Sequence, residues 1–93
     1  MFKLADTNRY HLPGQDRFLH LATVHQNMRE FMCMIDTLTQ QTYIEEISGG
    51  HLEVIKDDGL FQGIHDFLLD RGILSISRPA LPDDVWLRNK PKK

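Results

Sequence analysis

The chain has 93 residues, of which 41% are hydrophobic and 26% charged, and its net charge is −2 at pH 7. This length predicts one domain rather than a two-domain enzyme, and the composition is too apolar for an intrinsically disordered protein. No apolar run approaches the roughly 18 residues of a membrane-spanning helix, and residues 1–6 contain no apolar signal region. We therefore expect a single compact domain over residues 1–93, located in the cytoplasm and without a membrane contact.

The first fifteen residues show no sustained hydrophobic period and include Pro13 and Gly14. Such a segment is typical of a loop. We expect residues 1–15 to form an irregular, flexible N-terminal arm.

Residues 16–36 allow two secondary structures. Apolar side chains recur three and four positions apart, as on one face of an amphipathic helix: Leu21, Val24, Met28, Phe31, Ile35 and Leu38. Residues 28–36, however, are rich in apolar residues without the polar face of a helix, and residues 36–40 have the composition of a turn. We favour strands for this segment and keep the helix as the alternative.

A β-hairpin is predicted over residues 43–55. Gly49 and Gly50 lie between two segments rich in β-branched residues, and glycine readily adopts the positive φ that a tight primed turn requires. A two-residue turn places Ser48 opposite His51 and Glu46 opposite Glu53.

The sequence also predicts a well-capped helix at about residues 58–71. Its apolar side chains share one face: Leu60, Phe61, Ile64, Phe67 and Leu68. Asp57 and Asp58 suit the positive N-terminal end, and Gly72 can adopt the left-handed conformation that ends a helix.

In the C-terminal quarter, the sequence predicts a short strand at residues 73–77. Residues 78–82 should be extended, because each proline disfavours helix at the residue before it. Residues 85–87 suit a last strand or an apolar plug, and residues 88–93 a flexible basic tail. Together the elements predict an α+β fold, with a small antiparallel meander sheet of three to five strands and one helix.

The predicted registers give the sheet two apolar faces. One face carries Met32, Met34, Tyr43, Ile47, Leu52 and Val54, and the other carries Phe31, Cys33, Ile35, Ile44 and Ile55. One helix cannot cover both faces, so the chain ends, a second copy or a different protein must cover the remainder. Our interface candidates are the following: Phe31, Cys33, Ile35, Ile44, Ile55 and Trp86.

The facing glutamates Glu46 and Glu53, with His51 nearby, are the candidates for a metal or acid-base site, since facing like charges require a cation, a proton or solvent. The alternative is a wet sheet end at which an arginine of the basic tail bridges the glutamates. The sequence contains no zinc, calcium, nucleophile-elbow or phosphate-loop motif. We expect a non-enzymatic protein without a cofactor, in which Cys33 packs as a small apolar residue.

Charge is segregated along the chain. Residues 1–29 carry +2, residues 30–70 carry nine acids against Lys56 alone, and residues 71–93 carry +4. Opposite charges favour contact of the basic ends with the acidic middle, in one chain or between two.

Our principal hypothesis is a small accessory or regulatory protein that acts through protein–protein interaction and associates with itself as a homodimer. The alternative is a nucleic-acid accessory protein whose phosphate contacts come from the basic tail: Arg88, Lys90, Lys92 and Lys93. The acidic middle would repel the same nucleic-acid backbone.

Overall fold

A computed structural model of the chain describes residues 1–74 and the backbone of the short strand Arg78–Pro79. The described elements are β1 (Lys3–Asp6), β2 (Tyr10–Leu12), β3 (Gln15–Gln26), β4 (Arg29–Asp36), β5 (Gln41–Ser48), β6 (His51–Val54), α1 (Asp58–Asp70) and β7 (Arg78–Pro79). The α+β class is confirmed. The sheet is larger than the three to five strands we expected, since six antiparallel strands and the two-residue β7 contribute to it.

The strand order is β1-β3-β4-β5-β6, with β2 beside β3 and β7 parallel to the start of β5. The two additional N-terminal strands correct our expectation of an irregular arm over residues 1–15. β1 pairs along one half of β3, with Leu4 opposite Val24, and β2 pairs along the other half, with His11 opposite Leu19. The twelve-residue β3 is long enough to pair with both, and strands this short show no period in the sequence.

Residues 16–36 form strands rather than a helix, as we favoured. β3 and β4 are joined by a tight turn in which Asn27 has φ 56°, a conformation that asparagine tolerates better than most residues. Both faces of the pair are buried, with Val24 and Phe31 on one face and His20 and Met34 on the other. Strands are favoured here because alternate side chains point to opposite faces and both faces are buried, whereas an amphipathic helix buries a single stripe of side chains.

The β5–β6 hairpin has the predicted register. Gly49 and Gly50 have φ 56° and 86°, Ser48 lies opposite His51, and Glu46 lies opposite Glu53. These positive angles are those of a primed two-residue turn, whose twist matches that of the two strands.

Helix α1 begins and ends close to the predicted boundaries. The Asp57 side chain caps it by accepting a hydrogen bond from the Leu60 N–H at 3.1 Å. At the other end Gly72 has φ 72°, and the Ile73 N–H donates to the Leu68 carbonyl at 3.0 Å. This is the glycine-terminated helix end that the sequence predicted.

The sheet has an apolar cluster on each face. On the face toward α1, here called the helix-side face, the buried residues are Leu21, Ala22, Val24, Phe31, Cys33, Ile44, Ile64, Leu68 and Leu74. On the opposite face, here called the far face, they are Leu12, Phe18, Met34 and Tyr43, with Met32 and Leu52 packed beside them. The division of apolar residues between two faces is therefore the predicted one.

Residues 73–77 do not begin as the expected strand, because Ile73 and Leu74 lie in a bend and pack against the helix-side cluster. The rest of that segment, the predicted element at 85–87 and the tail at 88–93 lie outside the described residues. In the part of the chain that the structure describes, no helix has both the length and the apolar composition to cross a bilayer.

Candidate functional site

Three of the interface candidates lie on the part of the sheet against which α1 packs. Phe31, Cys33 and Ile44 are buried in the helix-side cluster together with Ile64 and Leu68 of α1. Since the chain itself covers them, they are not a free surface, which corrects our expectation.

Two of the remaining candidates, Ile35 and Ile55, add no open face. Ile35 and Ile55 are half-buried and pack against the same helix-side cluster. Trp86 and the nucleic-acid candidates Arg88, Lys90, Lys92 and Lys93 lie outside the described residues.

Cys33 is an inert packing residue. Its side chain is fully buried, and this burial raises the pKa of the thiol to about 12. Because the thiolate is the reactive form, the thiol has almost no nucleophilic or metal-binding character at neutral pH.

A nearby arginine neutralises one of the facing glutamates. The Arg29 guanidinium donates from Nε and Nη2 to the two Glu46 carboxylate oxygens at 2.9 and 2.8 Å. This bidentate bond lowers the pKa of Glu46 below its ordinary value and raises that of Arg29. The cation that binds Glu46 comes from β4, whereas our alternative placed an arginine of the basic tail there; that tail lies outside the described residues.

The proposed metal site at Glu46, His51 and Glu53 is not assembled. Glu46 is occupied by Arg29, and no group of three potential metal ligands occurs among residues 1–74. His51 and Glu53 are exposed on β6, and neither side chain makes an ion pair or hydrogen bond with the described residues. Of the three residues, Glu46 is therefore bound by Arg29, and His51 and Glu53 are separate exposed side chains at the margin of the sheet.

β6 ends the sheet, and its outer backbone groups have no strand partner among the described residues. In a two-residue hairpin the closing pair, Ser48 and His51, exchanges both hydrogen bonds, and the bonded pairs then alternate along the strands. Glu53 therefore directs its N–H and C=O toward β5, whereas Leu52 and Val54 direct theirs outward. These outward groups could pair with another strand.

The two margins of the sheet differ in regularity. The β1 and β2 margin is interrupted by register shifts between Leu4 and Asp6 and between His11 and Leu12, whereas the pairing of β6 has no shift. Bulges twist an edge away from a would-be partner strand. β6 is thus the margin that is better suited to accept another strand.

A buried histidine on β3 has a structural role. His20 Nδ1 donates to the Asn8 carbonyl, Nε2 lies 2.9 Å from the Thr23 hydroxyl, and the ring stacks on Tyr10 with centroids 4.4 Å apart. With both nitrogens engaged, His20 fixes the β1–β2 loop onto β3 and has no atom free for a ligand.

A pocket of about 250 Å³ lies on the helix-side face near the β4–β5 turn. Its described lining is apolar with a polar rim: Arg9, Leu19, Leu21, Ile35, Thr37, Gln40, Ile73 and Leu74. Arg9 is the single titratable side chain in this described lining, so the described lining residues include no acid-base pair of the kind that general acid-base catalysis uses.

Comparison with protein-family models, with curated proteins and with solved structures gives no match to this chain. A functional assignment therefore rests on the geometry described above. The sequence located β6 and its register correctly. It did not predict the bulged strands β1 and β2 at the opposite margin. The regular pairing of β6 is evident only by comparison with these two strands.

Proposed function

We propose that this protein is a small non-enzymatic accessory protein that acts through protein–protein interaction, and that it associates with itself by adding one β6 to another. The observation that carries the proposal is the regular margin of β6, which has no strand partner among the described residues and where Leu52 and Val54 direct backbone groups outward. Strand addition satisfies such groups and extends the sheet across two chains.

The side chains of β6 support a second copy as the partner. Val54 is 41% exposed and Leu52 is half-buried, and both lie on the far face. When two β6 strands pair, these side chains form one continuous apolar row across the junction. Exposed apolar surface would thereby be removed from water, which favours association.

The polar side chains of β6 are also complementary to those of a second copy. His51 and Glu53 lie together on the helix-side face and have no described partner within their own chain. An antiparallel copy can place an imidazole opposite each carboxylate. A strand from a different protein would have to supply this pattern of charges independently.

The proposal is tested by light scattering over a range of protein concentrations, with Leu52→Pro and Leu52→Ala as a matched pair. We expect the mass of the unmodified chain to rise from monomer to dimer. Leu52→Pro removes an outward N–H that the hairpin does not use, so the fold survives and the variant stays monomeric. Leu52→Ala loses a similar apolar contact but keeps the N–H, so it still dimerises at higher concentration.

Two results would contradict the proposal. The first is a monomeric mass for the unmodified chain at every concentration. The second is a dimer that Leu52→Pro forms as readily as Leu52→Ala, which would place the contact elsewhere on the molecule. Circular dichroism of each variant shows that the sheet is retained.

A further inference from the structure

We infer that the two β6 strands pair about a two-fold axis with Leu52 opposite the partner's Leu52, so that His51 of each chain faces the partner's Glu53. This inference rests on the proposed self-association at β6 and adds to it the register and the residues that select it. It assigns His51 and Glu53 as specificity-determining residues.

Backbone geometry limits the registers that two identical β6 strands can adopt. In an antiparallel pair, residues with outward N–H and C=O groups must oppose one another to exchange hydrogen bonds. On β6 these are Leu52 and Val54. The possible bonded pairs are therefore Leu52 with the partner's Leu52, Leu52 with the partner's Val54, and Val54 with the partner's Val54.

The register with Leu52 opposite the partner's Val54 places Glu53 directly opposite the partner's Glu53. They form a pair without hydrogen bonds, in which side chains approach most closely, and like charges there are destabilising. The nearest described cation on this face, Arg29, is already held by Glu46 through two hydrogen bonds. Apart from Arg29, His51 is the only basic side chain on β4 to β6, and in this register it lies opposite the partner's Ile55 and not opposite a carboxylate.

The register with Val54 opposite the partner's Val54 places Leu52 opposite the partner's Lys56, so an apolar side chain faces a charge. It also requires pairing beyond Val54, where β6 ends. The chain there continues into Asp57, whose side chain caps α1. Extension of the ladder into this segment would compete with the cap.

The register with Leu52 opposite the partner's Leu52 avoids both conflicts. Residues 51–53 of both chains pair within the strands, and the two leucines meet on the far face. On the helix-side face each imidazole lies opposite a carboxylate and can donate an N–H to it in either protonation state. The two-fold axis makes this pair occur twice.

The effect of Glu53→Gln on the affinity of the dimer distinguishes this register from the one that places Glu53 opposite the partner's Glu53. Glu53→Gln removes two favourable pairs here, so we expect the dimer dissociation constant to rise about 2- to 30-fold. In the register with Glu53 opposite the partner's Glu53, the same change removes a repulsion and the dimer becomes tighter. His51→Ala, which removes the N–H donor, serves as the matched variant and should weaken the dimer in the same direction as Glu53→Gln.

Single-cysteine variants then identify the residue on the two-fold axis. Opposed residues in an antiparallel pair have Cα atoms about 4.5–5.5 Å apart, within the range of a disulfide. We expect Leu52→Cys to form a disulfide-linked dimer on mild oxidation, whereas Glu53→Cys and Val54→Cys do not. The buried Cys33, whose thiol pKa is about 12, does not compete.

The outcomes separate this inference from the proposed function. A monomer in solution with no cross-link in any variant overturns self-association at β6. A dimer that is cross-linked by Glu53→Cys or by Val54→Cys, or one that Glu53→Gln tightens, leaves self-association standing and overturns the register. A cross-link at Leu52→Cys together with weakening by Glu53→Gln supports both.

Discussion

Asp36 ends β4 with a carboxylate that is 1% exposed yet fully bonded. Arg17 Nε and Nη2 each lie 2.7 Å from one of its oxygens, and the N–H groups of Leu38 and Thr39 donate to it at 2.9 and 3.3 Å. Burial raises the pKa of Asp36, but these hydrogen bonds outweigh it and hold the pKa below its ordinary value. The residue thereby organises the β4–β5 turn.

Asp36→Asn should lower the free energy of unfolding by about 1–3 kcal/mol, because a buried charge-assisted bond to Arg17 is lost while the shape is kept. Urea denaturation at neutral pH measures the change. Asp16→Asn, which alters an exposed carboxylate, serves as the control and should leave the midpoint unchanged.

The contribution of Asp36 should depend on pH with a defined sign. Its folded-state pKa is depressed, so the stabilisation is complete above the unfolded-state value of about 3.9 and is lost as the pH falls through the folded-state value. The stability gap between the unmodified chain and Asp36→Asn should be constant above about pH 5 and shrink below about pH 4. A gap that stays constant throughout would show that the carboxylate charge contributes nothing.

His65 is a buried polar residue of the opposite kind. It lies on α1 with 6% exposure, its ring is parallel to that of Phe61, and neither Nδ1 nor Nε2 has a hydrogen-bond partner in the described part of the chain. The nearest carboxylate oxygen, on Asp66, is 3.9 Å from Nδ1, too far for a hydrogen bond. Among the described residues, therefore, no hydrogen bond compensates the imidazole for its lost hydration.

His65→Leu should raise the free energy of unfolding by about 1–2 kcal/mol, because it removes the unsatisfied polar atoms and retains an apolar side chain at a buried helical position. Thermal or urea denaturation measures the gain. His11→Leu, at an exposed position of β2, is the control and should give no comparable increase. A loss of stability in His65→Leu would contradict this account.

At the scale of elements, the β5–β6 hairpin depends on two backbone conformations that favour glycine. Gly50 has φ 86°, and a Cβ added there would meet nothing within 4 Å. The cost of a side chain at this position is therefore backbone strain and not a steric clash.

Gly50→Ala should lower the free energy of unfolding by about 1–2 kcal/mol through that strain. Gly50→Asn is the matched variant, and it should cost less because asparagine enters the left-handed region more readily. Denaturation of both variants measures the difference. Equal losses in the two would indicate that side-chain space, and not φ, limits the turn.

The elements that the sequence predicted correctly are those with local signals. Gly49 and Gly50 define one turn, Asp57 and Gly72 bound α1, and each of these residues acts within a few positions of itself. β1 and β2 could not be predicted, because they pair with the edge of β3 opposite β4, a contact between separate segments that no local pattern in the sequence indicates. The partner of Glu46 was missed for the same reason, since Arg29 reaches it only across the β4–β5 register.

At the scale of the molecule, part of the charge segregation is used within the chain. Arg17 and Arg29 belong to the basic N-terminal segment, and their partners Asp36 and Glu46 belong to the acidic middle. Both pairs join adjacent strands, β3 with β4 and β4 with β5, so they support the sheet more than they attract a partner. This reduces the acidic surface available to a basic protein or to a competing cation.

The two apolar clusters share their strands, since β3, β4 and β5 send alternate side chains to each face. A defect on the far face should therefore destabilise α1, although the helix packs on the opposite face. Met34→Ala removes a fully buried far-face side chain and should lower the free energy of unfolding by about 2–5 kcal/mol. Ile44→Val, on the helix-side face, should cost about 0.5–1.5 kcal/mol.

Both variants should unfold in one cooperative transition. At concentrations where the chain is monomeric, the helical circular dichroism signal reports α1 and the Tyr43 ring resonances report the far face, and we expect their midpoints to coincide in each variant. Leu38→Ala, at an exposed turn position, should leave both midpoints in place. If Met34→Ala moved the Tyr43 midpoint and left the helical midpoint where it was, the two faces would be independent, and the shared strands would not couple them.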